Sequence, residues 1–313
     1  MSNKFSVGVV VPTYNRAHLI SETLESILNQ DSVVVDDIIV VDDGSADNTR
    51  EIVAKYPVRY ARIKNSGDLA ARNYGTLSLN TELVAFCDSD DLWLPNHLEN
   101  MVSLWKSFSN LTAAYSDFRI LKNGSILPVS KFNLHNPLSY WDDVKPVSTN
   151  SAIVTQDMTE KLLEFQPFFP SCLVVHRQKF IMAGLWNEEA GRGADFTTAL
   201  YFAHNPPFGV SFEPTVSIRK HDGNISADTV EMNLRDAHIL RVAATSGRYS
   251  KKLAKKLLAS ARAREISAFH GAFADGNKRL AASLIPSLGA NIAKPKIFAK
   301  AALSLAANAI GHT

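Results

Sequence analysis

In the first ninety residues, short aliphatic runs alternate with helical patterns, and three of the runs stop at a polar cluster. Phe5-Ser6-Val7-Gly8-Val9-Val10-Val11 is an almost unbroken apolar, β-branched run, as expected of a strand covered on both faces. It ends at Pro12-Thr13-Tyr14-Asn15-Arg16. Leu19, Ile20, Leu24, Ile27 and Leu28 then recur at helical spacing over residues 18–30. Asp37-Ile38-Ile39-Val40-Val41 is a second strand and stops at Asp42-Asp43-Gly44-Ser45. A helix over about 48–55, a strand over 58–63 and a helix over 69–78 follow, the last expected to turn Ala70, Ala71 and Tyr74 inward. Leu83-Val84-Ala85-Phe86 is the next strand. It runs into Cys87-Asp88-Ser89-Asp90-Asp91, with Leu92-Trp93-Leu94-Pro95 closing the turn.

This alternation predicts an α/β layer around a mostly parallel central sheet. In such sheets ligands bind beyond the carboxyl ends of the strands. The clusters 12–16, 42–45 and 88–91 are therefore expected to converge on one edge. Three carboxylates at the end of an apolar strand repel one another unless something positive sits among them. A hard divalent cation shared with substrate phosphates meets that need. A helix N-cap with a solvated turn is the plainer alternative, since Asp favours both.

Beyond residue 95 the pattern is less regular. Residues 113–121 have strand character, 122–170 are polar and contain Pro and Asn, and Ser171-Cys172-Leu173-Val174-Val175 resumes a strand. A helix is expected over 180–185, another from near Asp195 to Ala203, and a final strand at Val216-Ser217-Ile218-Arg219. From Val230 onward helices are expected, broken near Gly247, Gly276 and Pro286.

Charge divides the chain at the same place as texture. The whole carries +2, with 33 Lys and Arg against 31 Asp and Glu. Residues 229–313 hold 14 basic and 4 acidic side chains, which leaves 19 basic and 27 acidic for residues 1–228. We therefore expect an acidic domain over 1–228 and a basic helical extension over 229–313. The N-terminus enters a strand at once, so no signal peptide is expected, and no apolar run reaches the roughly 20 residues that span a bilayer. Two cysteines in 313 residues argue against a disulfide framework and fit a reducing, cytoplasmic setting. Cys87 is expected to be a small core residue.

The quoted strings have a precedent. Val9-Val10-Val11-Pro12-Thr13-Tyr14-Asn15-Arg16, Val40-Val41-Asp42-Asp43-Gly44-Ser45, Leu69-Ala70-Ala71-Arg72-Asn73-Tyr74-Gly75 and Asp88-Ser89-Asp90-Asp91 resemble, in order and spacing, the family 2 glycosyltransferases. Pro170-Ser171, Gly184-Leu185-Trp186 and Ala194-Asp195 are similar to the family's second half, and His221-Asp222-Gly223-Asn224-Ile225-Ser226 to a closing motif. The resemblance covers roughly residues 5–228 and leaves out the basic tail. It implies a GT-A fold, a nucleotide-sugar donor, a divalent metal (Mn2+ or Mg2+) and inversion at the anomeric carbon. By position it implies that Pro12, Tyr14 and Asp43 line the base and ribose pocket and that Arg72 holds the base or a phosphate. It implies Asp90 as a direct metal ligand, Asp88 on the ribose or a metal-bound water, and His221 near the pyrophosphate as ligand or donor. Asp195 matches the family's catalytic base. Ala194 departs from the carboxylate that usually precedes it.

Each residue also has a structural reading. Asp42 or Asp43 can brace a turn with Gly44 and Ser45. Arg72 can be a solvated helix residue, Asp195 an N-cap, and His221 a turn residue. Trp93 and Trp186 are expected in packing rather than as sugar platforms. In the tail, Lys251-Lys252-Leu253-Ala254-Lys255-Lys256-Leu257-Leu258 separates leucines from lysines. That fits a helix packed on the catalytic domain with a solvated outer face, or docking to an anionic membrane that holds a lipid-linked acceptor. Nucleic acid is not expected as a partner, because no aromatics interleave the charges. An oligomer is compatible with all of this. The expected function is transfer of a sugar, from a UDP-sugar by preference, to a hydroxyl of a glycan or lipid-linked acceptor. A non-catalytic sugar-nucleotide or glycan-binding module and a metal-dependent nucleotidyltransferase are the rivals. The latter would release pyrophosphate rather than a nucleoside diphosphate.

Overall fold

The first valine run becomes β1 (Val7–Thr13), and all of its residues are buried. The computed structural model describes residues 5–134, 140–190, 195–221 and 229–310. Ala194 and the Asp222–Ser226 part of the closing motif lie outside them. The chain divides into two units, Met1–Asp222 and Gly223–Thr313.

In the first unit β1 is flanked by two parallel neighbours. β2 (Asp37–Asp42) pairs with it from Gly8↔Asp37 to Thr13↔Asp42, and β4 (Leu83–Phe86) from Val7↔Leu83 to Val10↔Phe86. β3 (Arg59–Arg62) extends the parallel set beyond β2. The helices α1 (Ile20–Leu28), α2 (Thr49–Val53) and α3 (Asp68–Ser78) connect these strands, as the alternation predicts. The remaining strands are β5 (Leu92–Trp93), β6 (Ala113–Lys122), β7 (Ser125–Ile126), β8 (Lys145–Ser148), β9 (Ser151–Val154), β10 (Leu173–His176) and β11 (Phe208–Lys220). The sheet runs β3-β2-β1-β4-β10-β6-β11-β9-β8, with β5 on β11 and β7 on β6. The parallel set β3-β2-β1-β4 occupies one half; in the other, β6 and β11 pair parallel while β10, β9 and β8 add antiparallel pairings. α4 (His97–Ser107) packs its buried Leu98, Met101, Leu104 and Trp105 against that core.

Several expectations change. Leu92 and Trp93 do more than close a turn: they form β5, registered on Ser217 and Val216 of β11. In α3, Tyr74 is 45% exposed, whereas Arg72 and Asn73 are buried. Ala71 is buried as expected, but Leu69, Arg72, Asn73 and Thr76 are buried with it, and a count of apolar residues misses this face because three of those four are polar. Gly75 completes that face: a Cβ there would lie 2.4 Å from Val10 Cγ1. The polar stretch after residue 122 contains β8, β9, α5 (Lys131–Leu134) and α6 (Thr159–Glu164), elements too short to leave a periodic signature. Completing the helices of this unit are α7 (Arg177–Met182) and α8 (Phe196–His204).

The second unit is helical: α9 (Thr229–Thr245), α10 (Lys251–Ala274), α11 (Lys278–Leu288) and α12 (Pro295–Ile310). Gly247 and Gly276 fall in its breaks, both at positive φ. Pro286 does not break α11 but sits in its last turn, before Leu288 and Gly289. Val230, Ala268, Phe269, Ala272, Ala281, Leu288, Ile297 and Ala301 form its core. Leu253 and Leu257 of α10 are buried in packing, whereas Leu258 is 38% exposed and the four lysines beside them stay exposed. No described helix is long and apolar enough to cross a membrane.

Candidate active site

The three polar clusters do meet beyond the carboxyl ends of the parallel strands, and hydrogen bonds stitch them together. Asn15, at φ 52, donates its backbone N–H to Ser45 Oγ (2.8 Å), and its Oδ1 accepts from Ala46 N (2.8 Å). One further stitch runs from Arg16 N to Thr49 Oγ1 (3.2 Å). Pro12 is buried in β1 opposite Val41, and Tyr14 projects into solvent at 41% exposure.

Asp42 and Asp43 divide two tasks. Asp42 braces the turn: its Oδ1 accepts from Ser45 N (2.7 Å) and its Oδ2 from Tyr60 Oη (2.5 Å). Burial first, then Asp42, raises the Tyr60 pKa well above its ordinary value. Asp43 reaches the loop before α3, accepting from Ser66 N (2.6 Å) and Gly67 N (2.8 Å). Gly44, at φ 86, has no room for a side chain: a Cβ would meet Asn65 N at 3.3 Å.

α3 carries the next contact. Arg72 Nη2 lies 2.7 Å from Asp88 Oδ1, and Nη1 lies 2.6 Å from Asp68 Oδ2. Its guanidinium also stands 5.2 Å from the Trp186 ring. Burial opposes its charge, but Asp88 and Asp68 more than offset that and raise its pKa. Arg72 is thus no surface residue. Asn73 beside it grips the segment after α7: its Oδ1 accepts from Trp186 N (3.0 Å), and its Nδ2 donates to Trp186 O (2.9 Å) and Glu188 Oε1 (2.7 Å).

The strand-end carboxylates are not equivalent. Asp91 is buried; it accepts from Ser171 Oγ (2.5 Å) and Arg219 N (2.9 Å). Burial, then the charges of Asp90 and Asp88, push its pKa well up. It is a strut. Ser171 also accepts from Asp88 N (3.0 Å), so one hydroxyl sets the whole turn. Asp88 keeps its pair with Arg72, and burial raises its pKa despite that pair. Asp90 Oδ2 faces His221 Nε2 at 3.0 Å and Arg16 Nε at 3.4 Å. The register of β11 shifts around Pro214, and such irregularities re-aim a strand. Its far end brings Arg219 Nε to Asp90 O (2.9 Å), Arg219 Nη2 to Glu22 (2.6 Å) and His221 to Asp90.

Asp195 stands at the N-cap of α8 without a side-chain capping bond. It lines a cavity of about 10 Å³ with Tyr115, Phe168, Phe169, Pro170, Leu173, Trp186 and Ala199. Trp186 is therefore common to the surroundings of Arg72 and Asp195. Both Trp186 and Trp93 are core residues: Trp186 packs edge-on against Phe86 and Phe180, and Trp93 Nε1 donates to Ser171 O (2.8 Å). Cys87 and Cys172 are buried free thiols whose pKa burial raises.

Arg72, Asp88, Asp90 and His221 thus share one neighbourhood at the strand ends, joined to Asp43 through the loop that starts α3. Asp195 belongs to the adjoining wall. Arg16, Asn73, Ser171 and Arg219 were given no role by residue type alone. Only the position of the first three inside recurrent strings hinted at them. Among the described residues no group of three or more His, Cys, Asp and Glu side chains is placed to hold a metal by itself. The carboxylate and imidazole of Asp90 and His221 nonetheless suit a hard or borderline divalent cation completed by diphosphate oxygens.

The fold and this edge define an α/β protein of the GT-A type. Residues 8–145 match the model for glycosyl transferase family 2. Escherichia coli UDP-Glc:alpha-D-GlcNAc-diphosphoundecaprenol beta-1,3-glucosyltransferase WfgD is 30% identical over 159 residues, 50% of this chain and 61% of that one. The match therefore spans less than two thirds of that relative. The S. aureus TarS 1-349 structure in complex with UDP-GlcNAc superposes with a TM-score of 0.66 at 18% identity, covering 98% of this chain and 92% of that one. Mannosyltransferase PcManGT from Pyrobaculum calidifontis, in complex with GDP-Man and Mn2+, gives 0.55 at 19% identity, covering 98% and 88%. At these identities the likeness to both structures is one of fold.

Proposed function

We propose that this chain is an inverting glycosyltransferase that moves a sugar from a UDP-sugar to a hydroxyl of a glycan or lipid-linked acceptor. The observation that carries this reading is the meeting of Asp43, the Arg72–Asp88 pair and the Asp90–His221 pair at one edge of the parallel sheet. Asp43, Pro12 and Tyr14 belong to the base and ribose side. Arg72 orients Asp88 toward the ribose, and the Arg16 cation beside Asp90 faces the diphosphate. Asp90 and His221 would hold Mn2+ or Mg2+, with Asp88 near it. When bound, such an ion neutralises charge that develops on the departing diphosphate. Asp195 takes the proton of the acceptor hydroxyl as the oxygen attacks the anomeric carbon from the face opposite the leaving group. The bond to the diphosphate breaks as the new glycosidic bond forms, and one in-line displacement inverts the configuration. The UDP preference and the lipid-linked acceptor draw on the donor and acceptor that the name of WfgD gives and on the ligand of the TarS complex.

The test is a panel of UDP- and GDP-sugars with Mn2+ or Mg2+ and lipid-linked and free saccharide acceptors, with the released nucleotide measured. Acceptor-dependent UDP release, with the product anomer opposite to the donor's, is expected. Pyrophosphate release would point to a nucleotidyltransferase. Nucleotide binding with no release on any acceptor would point to a binding module.

A further inference from the structure

α12 presents an unusual outer side. Ile297, Ala301 and Ser304, at i, i+4 and i+7, are buried in the second unit. Between 298 and 305 every exposed residue is apolar: Phe298, Ala299, Ala302, Leu303 and Leu305. Phe298 is 62% exposed, Leu303 56% and Leu305 53%. A solvated helix normally places charged or polar residues there. The only charged member of this stretch, Lys300, is drawn inward, with Nζ 3.2 Å from His270 Nδ1 and 5.2 Å from the Phe273 ring.

Charge indicates what covers this side. From Gly276 to Thr313 the sequence holds no Asp or Glu, but Lys278, Arg279, Lys294, Lys296 and Lys300. Lys294 and Lys296 are exposed at the start of α12, where the helix dipole is already positive. Cations there gain nothing from the helix dipole, and an anion outside the chain would offset that repulsion. A second copy of this unit would bring the same cations to the same apolar side. An anionic lipid surface satisfies both features, taking the apolar side below the headgroups and the lysines among the phosphates.

We propose that α12 is an in-plane membrane helix that docks this chain on anionic bilayers through Phe298, Leu303 and Leu305, with Lys294 and Lys296 at headgroup level. This goes beyond the sugar chemistry, and its test contains no transfer step. α10 offers less of an apolar side than α12, because Leu253 and Leu257 are buried and only Leu258 of that string is exposed, at 38%.

The test is flotation of the purified chain with vesicles of phosphatidylcholine, with and without phosphatidylglycerol. Wild type should float with the anionic vesicles at low salt and be released by added sodium chloride, which screens exposed charge. Phe298→Glu with Leu305→Glu should weaken binding by about tenfold or more, and Lys294→Gln with Lys296→Gln should remove the preference for phosphatidylglycerol. Because the glutamates replace exposed side chains, their thermal melt should match wild type. If that variant fails to fold, Ala302→Cys carrying an environment-sensitive fluorophore reports instead; Cys87 and Cys172 are buried and stay unlabelled. A blue shift on adding anionic vesicles is expected. Wild type left in the soluble fraction, undiminished flotation of the glutamate variant, an unshifted label, or a wild-type dimer that the glutamates dissociate while vesicles bind nothing would each overturn the proposal.

Discussion

Arg72 holds Asp88 across the gap between a helix and a strand end, with 2.7 Å between Nη2 and Oδ1. The same guanidinium holds Asp68 through Nη1, so a planar fork serves two carboxylates. Arg72→Met should leave Asp88 beside Asp90 without its cation and cost about 3 kcal/mol, the lower end for breaking a buried pair. Arg72→Lys should recover only part of this, because an ammonium cannot present two parallel arms. Urea unfolding of both variants measures it. A methionine variant within about 0.5 kcal/mol of wild type would show that the bridge contributes nothing to stability.

Asp90 is the residue whose loss should separate binding from folding. Its carboxylate is turned to His221 and Arg16, whereas Asp91 carries the structural bonds of the turn. Asp90→Ala is expected to abolish metal-dependent UDP binding and turnover while the melting profile stays close to wild type. Calorimetric titration of UDP with and without Mn2+ reads this directly. A mutant whose affinity still rises with Mn2+ removes Asp90 from the metal site.

Asp195 should behave in the opposite way. Asp195→Asn keeps the side chain's size, so UDP affinity and stability should hold. If Asp195 is the base, the transfer rate falls by a factor on the order of 10² to 10⁴. An N-cap role alone predicts almost no change in rate. Single-turnover transfer at saturating donor and acceptor distinguishes the two, and near wild-type turnover would assign the proton to another group.

Strands β1, β2 and β4 of the parallel set were legible because they are buried and so are written in continuous aliphatic runs. The convergence of 12–16, 42–45 and 88–91 followed from strand direction alone. What the sequence could not disclose was how polar residues share out the work. Asp91 and Asp90 are adjacent and chemically identical, yet one is fixed by Ser171 and Arg219 and the other faces His221. That difference comes from the turn that enters β10 and from the far end of β11, eighty or more residues away in sequence. The buried polar face of α3 was misassigned for the same reason: Arg72 and Asn73 look like surface residues until Asp88 and Trp186 are known to lie beneath them. The strands and helices between 122 and 170 are a few residues each, shorter than the window in which periodicity can be read.

His97 supplies a prediction about acid. It lies on α4 with no exposed surface, shares a 2.8 Å hydrogen bond between Nδ1 and Thr215 Oγ1, and stacks 4.5 Å from Trp93. Its Nε2 is buried without a partner among the described residues. Burial pushes its pKa down to about 3 from the ordinary 6.5. The folded state therefore keeps the ring neutral over a range in which the unfolded chain binds a proton. Stability rises with pH where the unfolded state holds more protons, so acid removes stability between about pH 6.5 and pH 3, by about 1.4 kcal/mol per unit. Between pH 7.5 and pH 5 the loss from this group amounts to about 2 kcal/mol. His97→Asn places an amide where Nδ1 meets Thr215 and has no proton to gain. Urea unfolding of both proteins at the two pH values cancels the carboxylates they share, Asp88 and Asp91 among them. Wild type should lose about 2 kcal/mol more than the variant on acidification. Equal losses would mean that His97 takes up its proton inside the folded protein, and that the packing of α4 on Trp93 and β11 opens to let it in.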